Sequence, residues 1–483
     1  MERTPLPQEG LAVVVKRDCP TCRLVEPVLE RLADGPGGLA VLSQDDPGFP
    51  TAVQGVVDDT ELEHSFRLGI ETVPTLLRFE GGKEAGRAVG WNRADWRELT
   101  SMPDLGAELP EFQPGCGSRS VAPGAAERLR ARFGETGIAA RRVALEPHAD
   151  AVEACFERGW TDGLPVVPPT PERILRMLAG THRTPGEVVG AVPPDYAECT
   201  VEKVAINAVL AGCKPEYMPV LLAALEAALD PGFTLHGILC STCFTAPLII
   251  VNGPVAGRIG MNAGLNVLGQ GNRANATIGR ALNLIVRNVG GGRPGEIDRA
   301  TFGAPSKYTF CFAEDESDEE WEPLSVSRGL PRGASAVTLF QGEGVQGIMD
   351  QRSRTPEELT ASLAACLLAV CHPKICEWAH AVLLLSPEHY AIYREAGWGR
   401  ARVTEALLEA TTRPRSEVAR GAGGLAEGVP DSEARRKVPK FPPGGLLLVR
   451  AGGAAGLYSA ILAGWPGGRA WQHSHPITRE IES

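Results

Sequence analysis

The sequence predicts an α/β protein: an N-terminal βαβαββα domain, then a larger α/β region of one or two domains. Three observations point there. The continuous β-rich run "LAVVVKR", Leu11 to Arg17, is followed across "DCPTC" by Val25, Val28, Leu29 and Leu32 at helical spacing. A second strand, "GLAVLS", precedes a helical pattern, "TELEHSFRLGI", with Asp59 or Thr60 as its N-cap. Further on, strand-like runs such as "PLIIVNGP", "AVTLF", "AVLLL" and "GLLLVR" alternate with helices such as "PEELTASLAACLLAV" and "PEHYAIYREAG". The first domain is completed by "TVPTLLRFEGGKEAGRAVGW", two strands joined by the turn Glu80-Gly81-Gly82-Lys83, and by the helix "NRADWRELTSM" capped by Asn92.

The composition narrows the function classes. The chain has 483 residues, 43% hydrophobic and 22% charged, which suits roughly two to four globular domains. Its start, "MERTPLPQEG", carries no apolar h-region, and its apolar runs fall far below the roughly 18 residues a membrane span needs. A cytoplasmic protein without a membrane partner is expected. A net charge of -11 opposes non-specific binding to phosphate backbones, so nucleic acid is not an expected partner. Twelve cysteines in such a chain read as thiols, catalytic groups or metal ligands rather than as a disulfide scaffold. Cys155, Cys199, Cys213, Cys311, Cys366, Cys371 and Cys376 lie in or beside apolar runs, where free cysteine behaves as a small hydrophobe. Cys116 stands instead in the Gly-rich turn "PGCGSRS".

"CPTC" at a strand-to-helix turn, with "TVPT" following before a hairpin and a final helix, resembles the thioredoxin fold over residues 1–105. "K-x-x-C-P-x-C" is closer to glutaredoxins than to the W-C-G-P-C of thioredoxins, and Val13 stands where thioredoxins carry a buried acid. The resemblance implies a cis peptide before Pro74, whose preceding Val73 backbone would pair with a bound substrate strand. From the residues themselves, a redox cysteine needs its pKa lowered, most simply at a helix N-terminus, and Cys19 is placed there. Pro20 in the first turn costs no hydrogen bond, Lys16 adds positive charge, and Asp18 opposes it. Cys22, a turn further in, is expected to be the buried resolving thiol and Cys19 the more exposed and acidic one.

Residues 106–150 mix Pro, Gly and charge around one short helical pattern and read as a connector. Beyond them lie 151–350, an α/β domain, and 351–483, a C-terminal α/β region that is either separate or part of the same domain. In the first, Thr200 caps "VEKVAINAVLAG", and Met218, Leu221, Leu222, Leu225 and Leu229 form a core stripe. Residues 412–443 read as a mobile insertion. "WTDGLPVVPPT", "RANATIGRA" and a C-terminal Gly-rich strand resemble the signatures of a bacterial family of unassigned activity.

This larger part holds further candidates. Cys240 and Cys243 form a second C-x-x-C with His236 four residues before it: a secondary dithiol in exchange with the first, a soft-metal site, or buried thiols in a loop. Cys116 is a further redox candidate, an intermediate thiol between the two pairs. "CHPKICEWAH" offers Cys371, His372, Cys376 and His380 at zinc-like spacing, although Pro373 interrupts a helix there. Gly269 and Gly271 lead to a helix start where Gly271, Arg273, Asn275 and Thr277 are anion-binding candidates, against a plain turn capped by Asn275 or Thr277. Asp162, Glu198, Glu202 and Glu296 are expected to be solvated caps.

The expected activity is that of a thioredoxin-like thiol-disulfide oxidoreductase. Cys19 attacks, Cys22 resolves, Pro74 presents the strand, and the head serves a larger substrate-binding domain. Its partners would be a protein or small-molecule disulfide and an external thiol donor, with no cofactor required by the head and the metal content open. Two rivals stand beside it. One is a carrier of a soft metal or sulfur species on His236, Cys240 and Cys243. The other makes the large domain a separate enzyme acting on a small anionic substrate.

Overall fold

The computed structural model describes residues 6–35, 37–418, 431–465 and 474–482. They form two compact units, Met1–Thr136 and Gly137–Ser483. Both mix helices and strands, as an α/β class requires.

The N-terminal unit is built on a five-stranded sheet. In chain order its elements are β1 (Gly10–Val15), α1 (Pro20–Leu24), α2 (Glu26–Ala33), β2 (Leu39–Ser43), β3 (Val57–Asp58), α3 (Glu63–Arg67), β4 (Thr72–Val73), β5 (Thr75–Glu80), β6 (Lys83–Val89), β7 (Trp91–Asn92) and α4 (Arg93–Thr100). The sheet order is β3-β2-β1-β5-β6. β1 runs parallel to β2 and antiparallel to β5, so the apolar run Ala12–Val15 is buried at the centre. The single first helix expected from spacing is two: Pro27, which has no N–H, stands in the first turn of α2 after a break at Val25. Asn92 caps α4 as expected. Asp59 caps α3 from outside it, its carboxylate accepting the N–H groups of His64 and Ser65 at 2.9 Å.

Residues 106–136 are not a connector but part of this unit. Gly106 takes a left-handed conformation against Trp91, where a Cβ would lie 2.4 Å from the indole ring. Trp91 Nε1 donates to the Pro110 carbonyl, Arg93 N to that of Glu111, and β8 (Phe112–Gln113) pairs with β7. β9 (Cys116–Gly117) pairs with β4. Ser118 Oγ accepts from Gln44, and α5 (Ala125–Phe133) packs Ala125 and Leu129 on Leu62 and Phe66. Composition marks the segment as loop because its hydrogen-bond partners lie far away in sequence.

The larger unit is one body, not two divided near residue 350. A seven-stranded mixed sheet runs in the order Cys311–Ala313, Ala246–Asn252, Ala336–Met349, Tyr458–Gly464, His380–Leu385, Leu446–Arg450, with Ile477–Glu480 also on Ala336–Met349. The sheet thus takes strands from both sides of that expected boundary. Ala246–Asn252 and His380–Leu385 are buried along their whole length, as strands covered on both faces are. Ile249 and Val251 join the core formed by helices Val201–Ala211, Met218–Leu229 and Arg273–Asn288, while Leu248 and Ile250 point to the opposite face. Across it Arg400 meets Glu314 at 2.6 Å, both side chains buried, and Glu314 also accepts from Asn252 Nδ2 and Leu324 N. Of the expected mobile stretch 412–443, residues 419–430 lie outside the described residues; beside them Arg413–Pro414 pairs with Lys437–Val438. No single helix among the described residues is long and apolar enough to cross a membrane.

The fold makes a first expectation about the N-terminal unit. A piece ending at residue 105 strips Trp91 and β4 of their partners and uncovers Leu62, and it should be about 3 kcal/mol less stable than one ending at 136. Urea unfolding followed by tryptophan fluorescence measures this, and equal stabilities would show that 106–136 adds nothing.

Candidate functional site

The site of the N-terminal unit forms where β1 ends and α1 begins. Cys19 is the N-cap of α1, extended in backbone, and its sulfur accepts the Cys22 N–H at 3.4 Å. The Lys16 N–H points at Cys22 Sγ, 3.5 Å away. From the opposite side comes β4, whose Val73 carbonyl oxygen lies 3.5 Å from Cys19 Sγ; the Val73–Pro74 peptide is cis. Both Cys19 and Cys22 are buried, so the expected exposure of Cys19 is not what separates them.

Acidity separates them. The Cys22 thiol hydrogen-bonds Cys19, and this, with Cys116 and the backbone N–H groups of Cys22 and Thr21, outweighs burial and holds Cys19 at about 5. Burial, then the hydrogen bond and charge of Cys19, push Cys22 far above the ordinary thiol range. Lys16, expected to add charge, has its Nζ on the Gly117 carbonyl at 2.9 Å.

Cys116 is therefore part of this site, placed there by the register Val73 to Cys116 and Thr72 to Gly117. It packs on the cluster that holds Cys19 and Cys22, and the hydrogen bond to Cys19 and then burial raise its pKa. Nothing in the spacing of "PGCGSRS" shows this, although glycines on both sides of a cysteine are the signal of close backbone approach.

The candidates of the larger unit fall differently. His236 Nδ1 lies 3.0 Å from Tyr196 Oη, and Cys240 Sγ reaches the Gly237 carbonyl, so the expected His236, Cys240 and Cys243 set is not assembled. Cys243 meets Glu343 instead. Glu343 is the extra residue at a register shift between Gly342 and Gly344, the position at which a bulge re-aims a side chain, and burial raises its carboxyl. Cys371, on the Gly464 carbonyl at 3.4 Å, belongs to the same neighbourhood. Lys440, buried and donating to the His372 carbonyl, is pushed down to about 8 by burial. Among the described residues no three His, Cys, Asp or Glu side chains are arranged to hold a metal ion.

The anion candidates are committed to the protein. Arg273 Nε donates to the Gly212 carbonyl at 2.9 Å, closing the C-terminal end of helix Val201–Ala211. Asn275 is buried between Asn262 and Val267, Thr277 Oγ1 turns back to the Arg273 carbonyl, and the N-cap is Asn272, not Asn275 or Thr277. Gly271 has a positive φ just before it. Two of the four acids also depart from expectation. Arg280 grips Asp162 with two hydrogen bonds of 2.8 and 2.7 Å, so the "WTDGLP" and "RANATIGRA" segments pack together. Burial opposes the Asp162 charge, yet Arg280 holds its carboxyl below the usual range. Glu202, buried, accepts the N–H groups of Ala139 and Ala140, whereas Glu198 and Glu296 are exposed as expected.

A cavity of about 720 Å³ lies beside these segments, lined by Arg141, Arg158, Lys203 and Asn207 and by apolar Ile174 and Leu210, with no carboxylate among the described residues that line it. No protein-family model matches the chain.

Replacing Cys22 with Ala removes the largest of the influences that keep Cys19 acidic. The pH at which Cys19 becomes reactive to iodoacetamide should move up from about 5 toward the ordinary thiol range. A midpoint unchanged in Cys22→Ala would assign the acidity to the backbone N–H groups.

Proposed function

We propose that the N-terminal unit is a thiol-disulfide exchange centre of thioredoxin or glutaredoxin type. The observation that carries this reading is the placement of one C-x-x-C: Cys19 is the N-cap of α1 with the Cys22 N–H on its sulfur, and Cys22 lies one turn in beneath the Lys16 N–H, an arrangement that pushes the Cys19 thiol down and the Cys22 thiol up. Sheet order β3-β2-β1-β5-β6, with the cysteines at the β1 to α1 turn and a cis Pro74 opposite, supports the fold assignment.

The Cys19 thiolate attacks one sulfur of a disulfide, forming a mixed disulfide and expelling the other sulfur as thiolate. Once bonded, Cys19 no longer carries the charge that opposes ionisation of Cys22. Cys22 then gives up its proton, attacks Cys19 Sγ and expels the second substrate thiolate. Two electrons leave the dithiol for the substrate, and an external thiol donor restores it. No cofactor takes part in these steps. With dithiothreitol as donor and a small aromatic disulfide as substrate, Cys19→Ser should reduce turnover to the uncatalysed rate. Turnover surviving in Cys19→Ser would end this reading.

For the larger unit, the cavity supports the reading as a binder of a small anion with an apolar body: Arg141 lines it, while Lys203 and Arg158 in its wall already donate to the Glu198 and Ala154 carbonyls. Calorimetry with simple aromatic carboxylates tests it. Arg141→Met should weaken binding about tenfold, the loss of one charge-assisted hydrogen bond, and identical affinity would remove Arg141 from the site.

A further inference from the structure

The segment Pro114 to Ser118 lies along β4 as an added strand. Its pairing places Cys116 opposite Val73, the residue just before cis Pro74. Five further bonds hold it down: Thr21 Oγ1 to the Pro114 carbonyl at 2.6 Å, Lys16 Nζ to that of Gly117, Ser118 N to that of Glu71 at 2.8 Å, and Ser118 Oγ with Gln44 and Ser120. Gly115 permits the approach, since a Cβ there would stand 2.4 Å from Thr72 Cγ2 and 2.8 Å from the Val73 oxygen. Cys19 is left with no exposed surface, while Cys116 is partly exposed.

We infer that Cys116 is a second resolving thiol, carried on a strand of the chain's own that fills the edge where a substrate strand would pair. This rests on the proposed exchange function of Cys19. An incoming disulfide must displace the strand to reach Cys19. When the strand returns, Cys116 attacks Cys19 Sγ of the mixed disulfide, loses its proton to solvent, forms the Cys19–Cys116 disulfide and releases the substrate thiolate. Cys22 can then attack Cys19 in turn, which forms Cys19–Cys22 and frees Cys116 with no net change in oxidation.

The test uses the full chain and oxidised glutathione, a low-molecular-weight disulfide, with mapping of non-reduced peptides by mass spectrometry. Cys22→Ser should yield the Cys19–Cys116 disulfide and little glutathione on Cys19. In Cys22→Ser/Cys116→Ser and Cys22→Ser/Cys116→Ala the glutathione adduct on Cys19 should rise about tenfold or more, because the in-chain thiol acts at an effective concentration of order millimolar. Equal adduct yields with and without Cys116 overturn the inference and leave the exchange reading standing. A Cys19 that forms no disulfide in any of these variants overturns both.

Discussion

A negative sulfur removed from water persists only if donors replace the water it has lost, and the N-terminal unit is arranged around that requirement at Cys19. Strand β1 delivers the chain to the spot, α1 turns the Cys22 and Thr21 N–H groups back onto the sulfur, and the thiols of Cys22 and Cys116 add to them. Each of these demands fixes another element. The Cys116 contact needs β9 on β4, β9 needs the close approach at Gly115, and the strand's anchors reach Thr21 and Lys16 at the two sides of the cysteine turn. Burial alone would move the Cys19 pKa upward. It moves down because the thiol and N–H donors on one side of the sulfur outweigh that burial.

Much of this was legible in the residues. "LAVVVKRDCPTC" carries its own reading, because a continuous apolar strand followed by a helical stripe leaves the cysteines only one place to be. The caps Asn92 and Thr200 were equally local, each satisfied within three residues. What the residues hid are contacts between distant stretches. Pro114 to Gly117 looks like loop since its partners, Thr21, Thr72 and Val73, lie far back in the chain. Arg273 looked free for an anion, but the carbonyl oxygens at the end of another helix hold it. Asp162 and Arg280, more than a hundred residues apart, meet in an ion pair that neither segment announces.

The two C-x-x-C motifs show how little the spacing alone determines. In the first, the pair sits at a helix start and its members are driven apart in acidity. In the second, Cys240 follows its own helix back to a carbonyl and Cys243 turns to a carboxyl raised by burial, where the first pair has thiols and backbone N–H groups as partners. Identical spacing gives different chemistry because the sulfur responds to the groups facing it and not to the distance to its neighbour in sequence.

The Arg400 to Glu314 pair has a bearing on how this chain can be cut and recombined. Its two members come from opposite sides of residue 350, where the polar stretch invites a module boundary, and both are out of water. A fragment carrying only one of them would bury a charge without its counter-ion, and would turn Ala336–Met349 or Tyr458–Gly464 into an open sheet edge. The stretches before and after 350 are thus not interchangeable parts. Gene-level shuffling or fusion that respects the fold has to keep the sheet strands from Ala246 to Gly464 together, because the cut at 350 severs both the strand pairing and the ion pair.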